Sequence, residues 1–344
     1  MGKRILYIFL TGILAINSGA QTGGDNVYEF LNLTHSGLVS SLGGTNVSIY
    51  ADNLNLVYHN PSLLSSEMDK SLAMSFVSYF AGINYGQVMY ALSVPRAGDF
   101  AAGISYLNYG SFTEADPSGN ITGKFYASEY AFSLAWSREI HEGFNAGINL
   151  KPVLSHLERY SSFGLAMDIG GSYHSESGHF SAGLAIRNLG VQITTYAGEK
   201  RLSPPFEIQA GVSRKLAHSP FRFSLTLRHL QKFKLTHLYD DPEESSQDSG
   251  FFENLMRHAI FGVEMIPHRN FYLAAGYNYQ RRRELKTGSG SSAAGFSWGF
   301  GIKTSAMNIE FGRATYHLAG SSNHVSLILK TDRIYKKLWT KESQ

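Results

Sequence analysis

The sequence predicts an all-β protein, an outer-membrane antiparallel β-barrel of about fourteen strands with an N-terminal plug. Three observations predict it. Apolar residues recur with period two across residues 71–331, which is the strand period. The alternating segments run ~9–12 residues, the length that crosses a bilayer when a strand is tilted. Short and long connections take turns between them, as they do in outer-membrane barrels.

Composition fits this class and excludes others. The chain of 344 residues is 13% aromatic and 17% charged, against about 25% charged for a soluble protein. It has no Cys, which excludes disulfide scaffolds, Cys-ligated zinc, iron–sulfur clusters, a thiol nucleophile and a lipid-anchored N-terminus. A net charge of +3 supplies no broad basic face, so no nucleic-acid partner is expected.

Residues 1–20 read as a secretory signal peptide. Lys3 and Arg4 precede an apolar stretch from Ile5 to Ile16, and Asn17, Ser18, Gly19 and Ala20 supply the small residues of a cleavage site. As a membrane anchor the stretch falls short of the ~20 residues a spanning helix needs. No later window approaches such a helix. A membrane-embedded mature chain must therefore be a closed barrel, because lipid offers no partner for backbone N–H and C=O groups.

Residues 21–70 do not alternate. Leu31, Leu33, Leu38, Leu42, Ile49, Leu54, Leu56 and Leu63 make the segment too apolar for a disordered extension in water. It is expected to fold inside the barrel as a plug.

Residues 71–331 form the barrel. Strand centres are expected near 75, 90, 103, 132, 147, 167, 184, 210, 225, 261, 275, 298, 311 and 327. In the stretch 221–228, Phe221, Phe223, Leu225 and Leu227 alternate with Arg222, Ser224, Thr226 and Arg228. A soluble sandwich alternates too, but its strands are nearer 5–6 residues. Small inward residues such as Gly147, Gly164, Ala166, Gly183, Ala185, Gly211, Gly299 and Gly301 predict a roomy lumen. Short turns are expected at 95–98, 141–143, 175–178, 218–220, 267–270 and 304–305. Long loops are expected at 108–124, 154–161, 188–205, 231–255, 281–292 and 317–323. The first hairpin, at 82–86, is the exception. This alternation predicts periplasmic turns, external loops and both termini in the periplasm, with 332–344 as a C-terminal tail.

Few residues suggest chemistry. The thirteen His show no H-E-x-x-H pattern and there is no G-x-S-x-G elbow, so neither metal, cofactor nor catalytic residue is expected. Gly43 and Gly44 are not followed by the Gly-Lys-Ser/Thr of a phosphate loop. Inward charges are costly unless paired, so Glu207 with Arg228, and Asp168 with Arg187, are expected as lumen ion pairs or as a gate. Arg281, Arg282 and Arg283 lie at the outer end of strand 11, as a solvated loop base or a contact for the anionic groups of lipopolysaccharide. The longest loop carries Tyr239, Asp240 and Asp241, then Phe251 and Phe252. It reads as a partner-docking loop, or as a flexible loop whose Phe pair packs on the rim.

The plug carries a motif. The runs Gly23-Gly24-Asp25-Asn26-Val27-Tyr28-Glu29-Phe30-Leu31-Asn32-Leu33 and Ser40-Ser41-Leu42-Gly43-Gly44-Thr45-Asn46-Val47-Ser48, then Asp52 and Asn60-Pro61-Ser62-Leu63-Leu64, resemble the PorQ family of the type IX secretion system of Bacteroidetes-type bacteria. Leu42, Gly43, Gly44, Asp52, Asn60 and Pro61 also resemble the wider FadL and PorV group of fourteen-stranded barrels. Asn-Pro-Ser stands here where Asn-Pro-Ala is usual. The resemblance implies a non-enzymatic part in the cell-surface attachment complex, which links exported cargo to anionic lipopolysaccharide. The implied partners are a PorZ-like surface protein, a PorU-like sortase and a PorV-like barrel. The alternative it leaves is a FadL-type channel for hydrophobic small molecules.

Overall fold

The computed structural model describes residues 26–233, 235, 250–285, 293–317 and 320–334. The segment 1–20 expected as a signal peptide, the residues beyond 334, and Tyr239, Asp240 and Asp241 lie outside them.

Fourteen strands follow one another: β1 (Ser71–Ser78), β2 (Asn84–Val94), β3 (Gly98–Ala115), β4 (Ile121–His141), β5 (Phe144–Leu157), β6 (Tyr160–His174), β7 (Phe180–Thr194), β8 (Glu207–Lys215), β9 (Phe221–Leu227), β10 (Ala259–His268), β11 (Phe271–Asn278), β12 (Phe296–Lys303), β13 (Met307–His317) and β14 (Gly320–Lys330). Each pairs antiparallel with the next, and β1 pairs with β14, so the sheet closes into a barrel. Closure leaves no strand edge unpaired. Every strand centre read from the alternation falls inside its strand.

The wall is uneven in height. Strands β3 to β7 are 14 to 21 residues long, whereas β8 to β12 have 7 to 10. Much of the stretches 108–124 and 154–161, expected as loops, is strand instead. Cross-strand aromatic pairs explain the first extension. Tyr106 packs on Tyr130 and Phe112 on Phe125, with ring centroids 4.8 and 5.1 Å apart, and such pairs stabilise a ladder beyond its core. The hairpin turns at 116–120, where the Asp116 carboxylate accepts from the Ser118 and Asn120 amides at 2.9 Å each. Between β5 and β6 the turn is only Glu158 and Arg159, with Glu158 in the left-handed region.

The polarity of the wall is inverted relative to a soluble barrel. Outward residues such as Val88, Phe132, Leu184, Val212, Phe261, Trp298 and Val325 are exposed. Ser, Gly, Asn, Gln and charged residues line the inside. Among the described residues no helix is long and apolar enough to cross a membrane.

Candidate functional site: the plug and its seat

Residues 26–68 run inside the barrel as short turns rather than a folded domain of their own. Asn26 bridges to Ser203. One α-helix, Gly37–Ser41, is capped by Ser36, whose hydroxyl accepts from the Val39 amide at 3.2 Å. Three short 3-10 turns, at Leu54–Tyr58, Pro61–Leu63 and Ser66–Met68, follow. The apolar plug residues pack on the wall, for example Leu31 with Val77 and Val153, and Leu54 with Ala101 and Ala135. Burial of such side chains is the main stabilising term, roughly 1.5–3 kcal/mol each.

The motif residues are the parts that fit the plug to its seat. Asn60 accepts from the Ser62 amide and hydroxyl at 3.1 and 2.7 Å and donates to the Val47 carbonyl at 2.8 Å. It caps the next turn, with Pro61 in the first position, where its missing N–H costs nothing. The wall yields to this corner. A β-carbon at Gly170 would collide with the Asn60 amide oxygen, one at Gly183 with the Val47 carbonyl, and one at Gly147 would lie 2.6 Å from Pro61. Gly43 and Gly44 both have left-handed backbones, φ 98° and 94°, which only Gly adopts readily. Their chain rests directly on Gly276, and Leu42 packs with Leu38 and Leu56. Asp52 is tied to the terminal end of the wall by Lys330 at 2.7 Å and Lys303 at 3.4 Å.

The small inward residues therefore do not open a roomy lumen. Plug backbone lies on Gly147 and Gly183, plug side chains on Gly164, Gly211 and Gly299, and the wall's own Tyr272 ring covers Gly301. Alternation along a strand shows which residues face in, but not what fills the space they leave.

The lumen charges are arranged as follows. Arg228 meets Glu207 with two bonds, at 2.7 and 3.0 Å. Asp168 does not pair with Arg187. Its partner is Lys151 at 2.6 Å, both side chains fully buried, and it also accepts from the Asn188 amide at 2.8 Å. The cause is a register shift between Met167 and Ile169 in the β6–β7 ladder, which hairpin counting could not foresee. Arg187 instead donates to the Leu31 carbonyl at 3.2 Å and covers the Tyr58 ring at 5.4 Å. Lys151 approaches the same ring at 5.7 Å, so two wall cations hold one plug tyrosine. Sequence reasoning missed Lys151, Tyr58 and Glu310. Glu310, on β13, accepts from the Leu38 amide at 3.2 Å and the Asn53 amide group at 2.6 Å. It also missed the pair Arg222–Glu264, directly opposed on β9 and β10.

Two plug histidines are buried and neutral. His35 lies edge-on to Tyr58 and Tyr85, at 4.8 and 5.5 Å. Burial first, and then the positive field of Arg187, pushes its pKa down to about 3. The same two causes, with others, hold His59 well below the ordinary histidine value. Among the described residues no three His, Cys, Asp or Glu side chains are grouped to hold a metal ion.

The three arginines after β11 stand on a short helix, Tyr279–Glu284, not on an open loop. Arg281 reaches in to the Gly43 carbonyl at 3.4 Å, and Arg283 pairs with Glu253 at 3.0 Å. Arg281 and Arg283 are thus engaged with the plug and with the neighbouring helix. Phe251 and Phe252 begin a helix, Phe251–His258, that leads straight into β10.

No protein-family model and no curated protein matches the sequence. Solved structures do match in fold. The Ralstonia pickettii toluene transporter TbuX has 12% identity over 87% of this chain and 98% of its own, with a TM-score of 0.52. The Pseudomonas putida toluene transporter TodX has 11% identity over 86% of this chain and 97% of its own, with a TM-score of 0.51. A Pseudomonas aeruginosa FadL homologue matches at 10% identity and a TM-score of 0.46. At these identities the likeness to the two toluene transporters is one of fold alone, a closed antiparallel barrel.

Proposed function

We propose that this chain is a non-enzymatic outer-membrane barrel that serves as a surface anchor in an attachment complex of the type IX secretion kind. In this reading both termini are periplasmic, and the long loops, with Tyr239, Asp240 and Asp241, hold a PorZ-like surface protein beside a PorU-like sortase and a PorV-like barrel. One observation carries the reading: residues 26–68 fill the barrel, backbone against wall glycines and buried charges against plug groups. A barrel so filled is suited to holding something outside rather than passing something through. The PorQ-like run Gly23–Leu33 supports it, whereas the residues that fit the plug to the wall, Leu42, Gly43, Gly44, Asp52, Asn60 and Pro61, are shared with the wider FadL and PorV group and fit either reading.

A second reading is a channel for hydrophobic small molecules. The fold likeness to two toluene transporters favours it over the anchor, and it requires the plug or a wall segment to move. One preparation separates the two. An affinity-tagged chain, extracted from outer membranes in mild detergent, is expected to bring a surface protein and a sortase with it. A barrel recovered alone, together with loss of labelled-toluene uptake in a deletion strain, would replace the anchor with the channel.

A further inference from the structure

The helix Phe251–His258 is inside out. Its polar residues Asn254, Arg257 and His258 are buried, with Arg257 only 4% exposed. Its apolar residues face away from the protein: Phe251 is 70% exposed, Phe252 72% and Leu255 42%. Phe233, 60% exposed, extends this patch with its ring 5.9 Å from Phe251. The polar side is bonded inward. Arg257 donates to the Leu235 carbonyl at 3.1 Å and to Glu253 at 3.0 Å, and His258 reaches the Arg228 and Phe233 carbonyls. A helix in water has the opposite arrangement, and a patch of bare aromatic rings marks an apolar contact.

The wall beneath says what that contact is. The helix passes into β10 without an intervening residue, and β10 and β9 carry Phe261 and Phe223 on their exposed outer face. Strand β9 has only seven residues. At ~3.4 Å per residue and a tilt of ~40° it rises ~18 Å, about 7 Å short of the ~25 Å apolar band of a membrane barrel. A helix is ~10 Å across. Placed above β9 with its apolar side outward, it makes up the missing height.

We infer that the exposed face of helix Phe251–His258 lies against the acyl chains of the membrane, completing the apolar band where the wall is lowest. The inference rests on the reading that the barrel spans a membrane. It also removes Phe251 and Phe252 from the protein-docking loop and gives them to lipid.

The absence of native Cys makes the test clean. Single spin labels are placed at Phe252→Cys and Leu255→Cys, with Val212→Cys on the outer wall and Ser118→Cys at the exposed hairpin tip as references. The full chain is reconstituted in phosphatidylcholine vesicles, and collision with oxygen is compared with collision with a water-soluble nickel complex. The expected result is that labels at 252 and 255 favour oxygen as the label at 212 does, several-fold more than the label at 118. Nickel access at 252 and 255 like that at 118 would overturn the inference and return the Phe pair to an aqueous docking surface. Exclusion of both reagents would overturn it in favour of a protein contact, such as a second copy. A Val212→Cys label open to nickel would instead defeat the membrane reading itself.

Discussion

The tall wall, β3 to β7, and the low wall, β8 to β12, solve the same problem differently. Both must cover a plug and, in the membrane reading, face lipid. The tall wall does so with strand alone, and its interior holds the fully buried pair Lys151–Asp168 and the glycines that seat Asn60 and Pro61. The low wall stops short, and the chain closes its upper end with two helices pinned to each other through Glu253 and Arg283. Its inner pairs, Arg222–Glu264 and Arg228–Glu207, have arginines 16% and 15% exposed. On the tall side both members of the pair are therefore shut away from water, whereas on the low side the carboxylates are buried and only the arginines keep an edge in solvent. The tall side should be the stability core and the low side the adaptable one.

The sharpest way to break this contrast is to remove one cation from each wall. Lys151→Met leaves Asp168 buried and unpaired, which costs roughly 3–5 kcal/mol. Arg222→Met leaves Glu264, itself only 2% exposed, without that partner, but water can reach it along the edge where the arginine was 16% exposed, so the cost should be smaller. Urea midpoints of the two variants in the same detergent decide it. Equal losses would mean that the two walls are equally dry. The double variant Lys151→Met, Asp168→Leu should recover most of the loss, since an apolar pair of similar volume replaces two buried ions.

Acid should loosen the plug next. His35 is neutral when folded, with its pKa lowered to about 3, while the unfolded value is about 6.5. Because the folded state resists protonation, its stabilising effect is complete above pH 6.5 and is lost as pH falls toward 3. At pH 4 that amounts to about 3 kcal/mol for this one group. His59 acts in the same direction. His35→Phe keeps the edge-on ring and removes the titration, so its urea midpoint should fall less between pH 7 and pH 4 than that of the parent. Parallel pH curves for the two proteins would refute this account.

These contrasts also show what could be read from residues alone. Strand positions were legible because alternation is a local property, and all fourteen centres could be placed from it. Strand ends were not. The extension of β3 and β4 depends on Tyr106 meeting Tyr130 and Phe112 meeting Phe125 across the ladder, which is a property of register. Glu207 with Arg228 could be paired by counting along a regular hairpin. Asp168 with Arg187 failed on the same reasoning, because one register shift between Met167 and Ile169 moved the partners. The seat of the plug was half legible. The motif marked Gly43, Gly44, Asn60 and Pro61, but the wall glycines opposite them are far away in sequence. Their alternation reads the same whether the space beyond is empty or filled.

The smallest expected effect lies at the top of the low wall. Glu253 accepts from both Arg257 and Arg283 at 3.0 Å. The group is 30% exposed, so its pairs are worth at most about 1 kcal/mol. Glu253→Gln should leave the urea midpoint nearly unchanged, because strand pairing and plug burial carry the global stability. The local effect should be visible all the same. Without the shared carboxylate the two helices lose their common partner, and amides in 251–258 should exchange with deuterium several-fold faster while those of β4 and β5 do not change. If the lowest part of the wall instead exchanged at the parent's rate, the Glu253 pairs would contribute nothing to closing this side, and the inward bonds of Arg257 to the Leu235 carbonyl and of His258 to the Arg228 and Phe233 carbonyls would be what holds the helix.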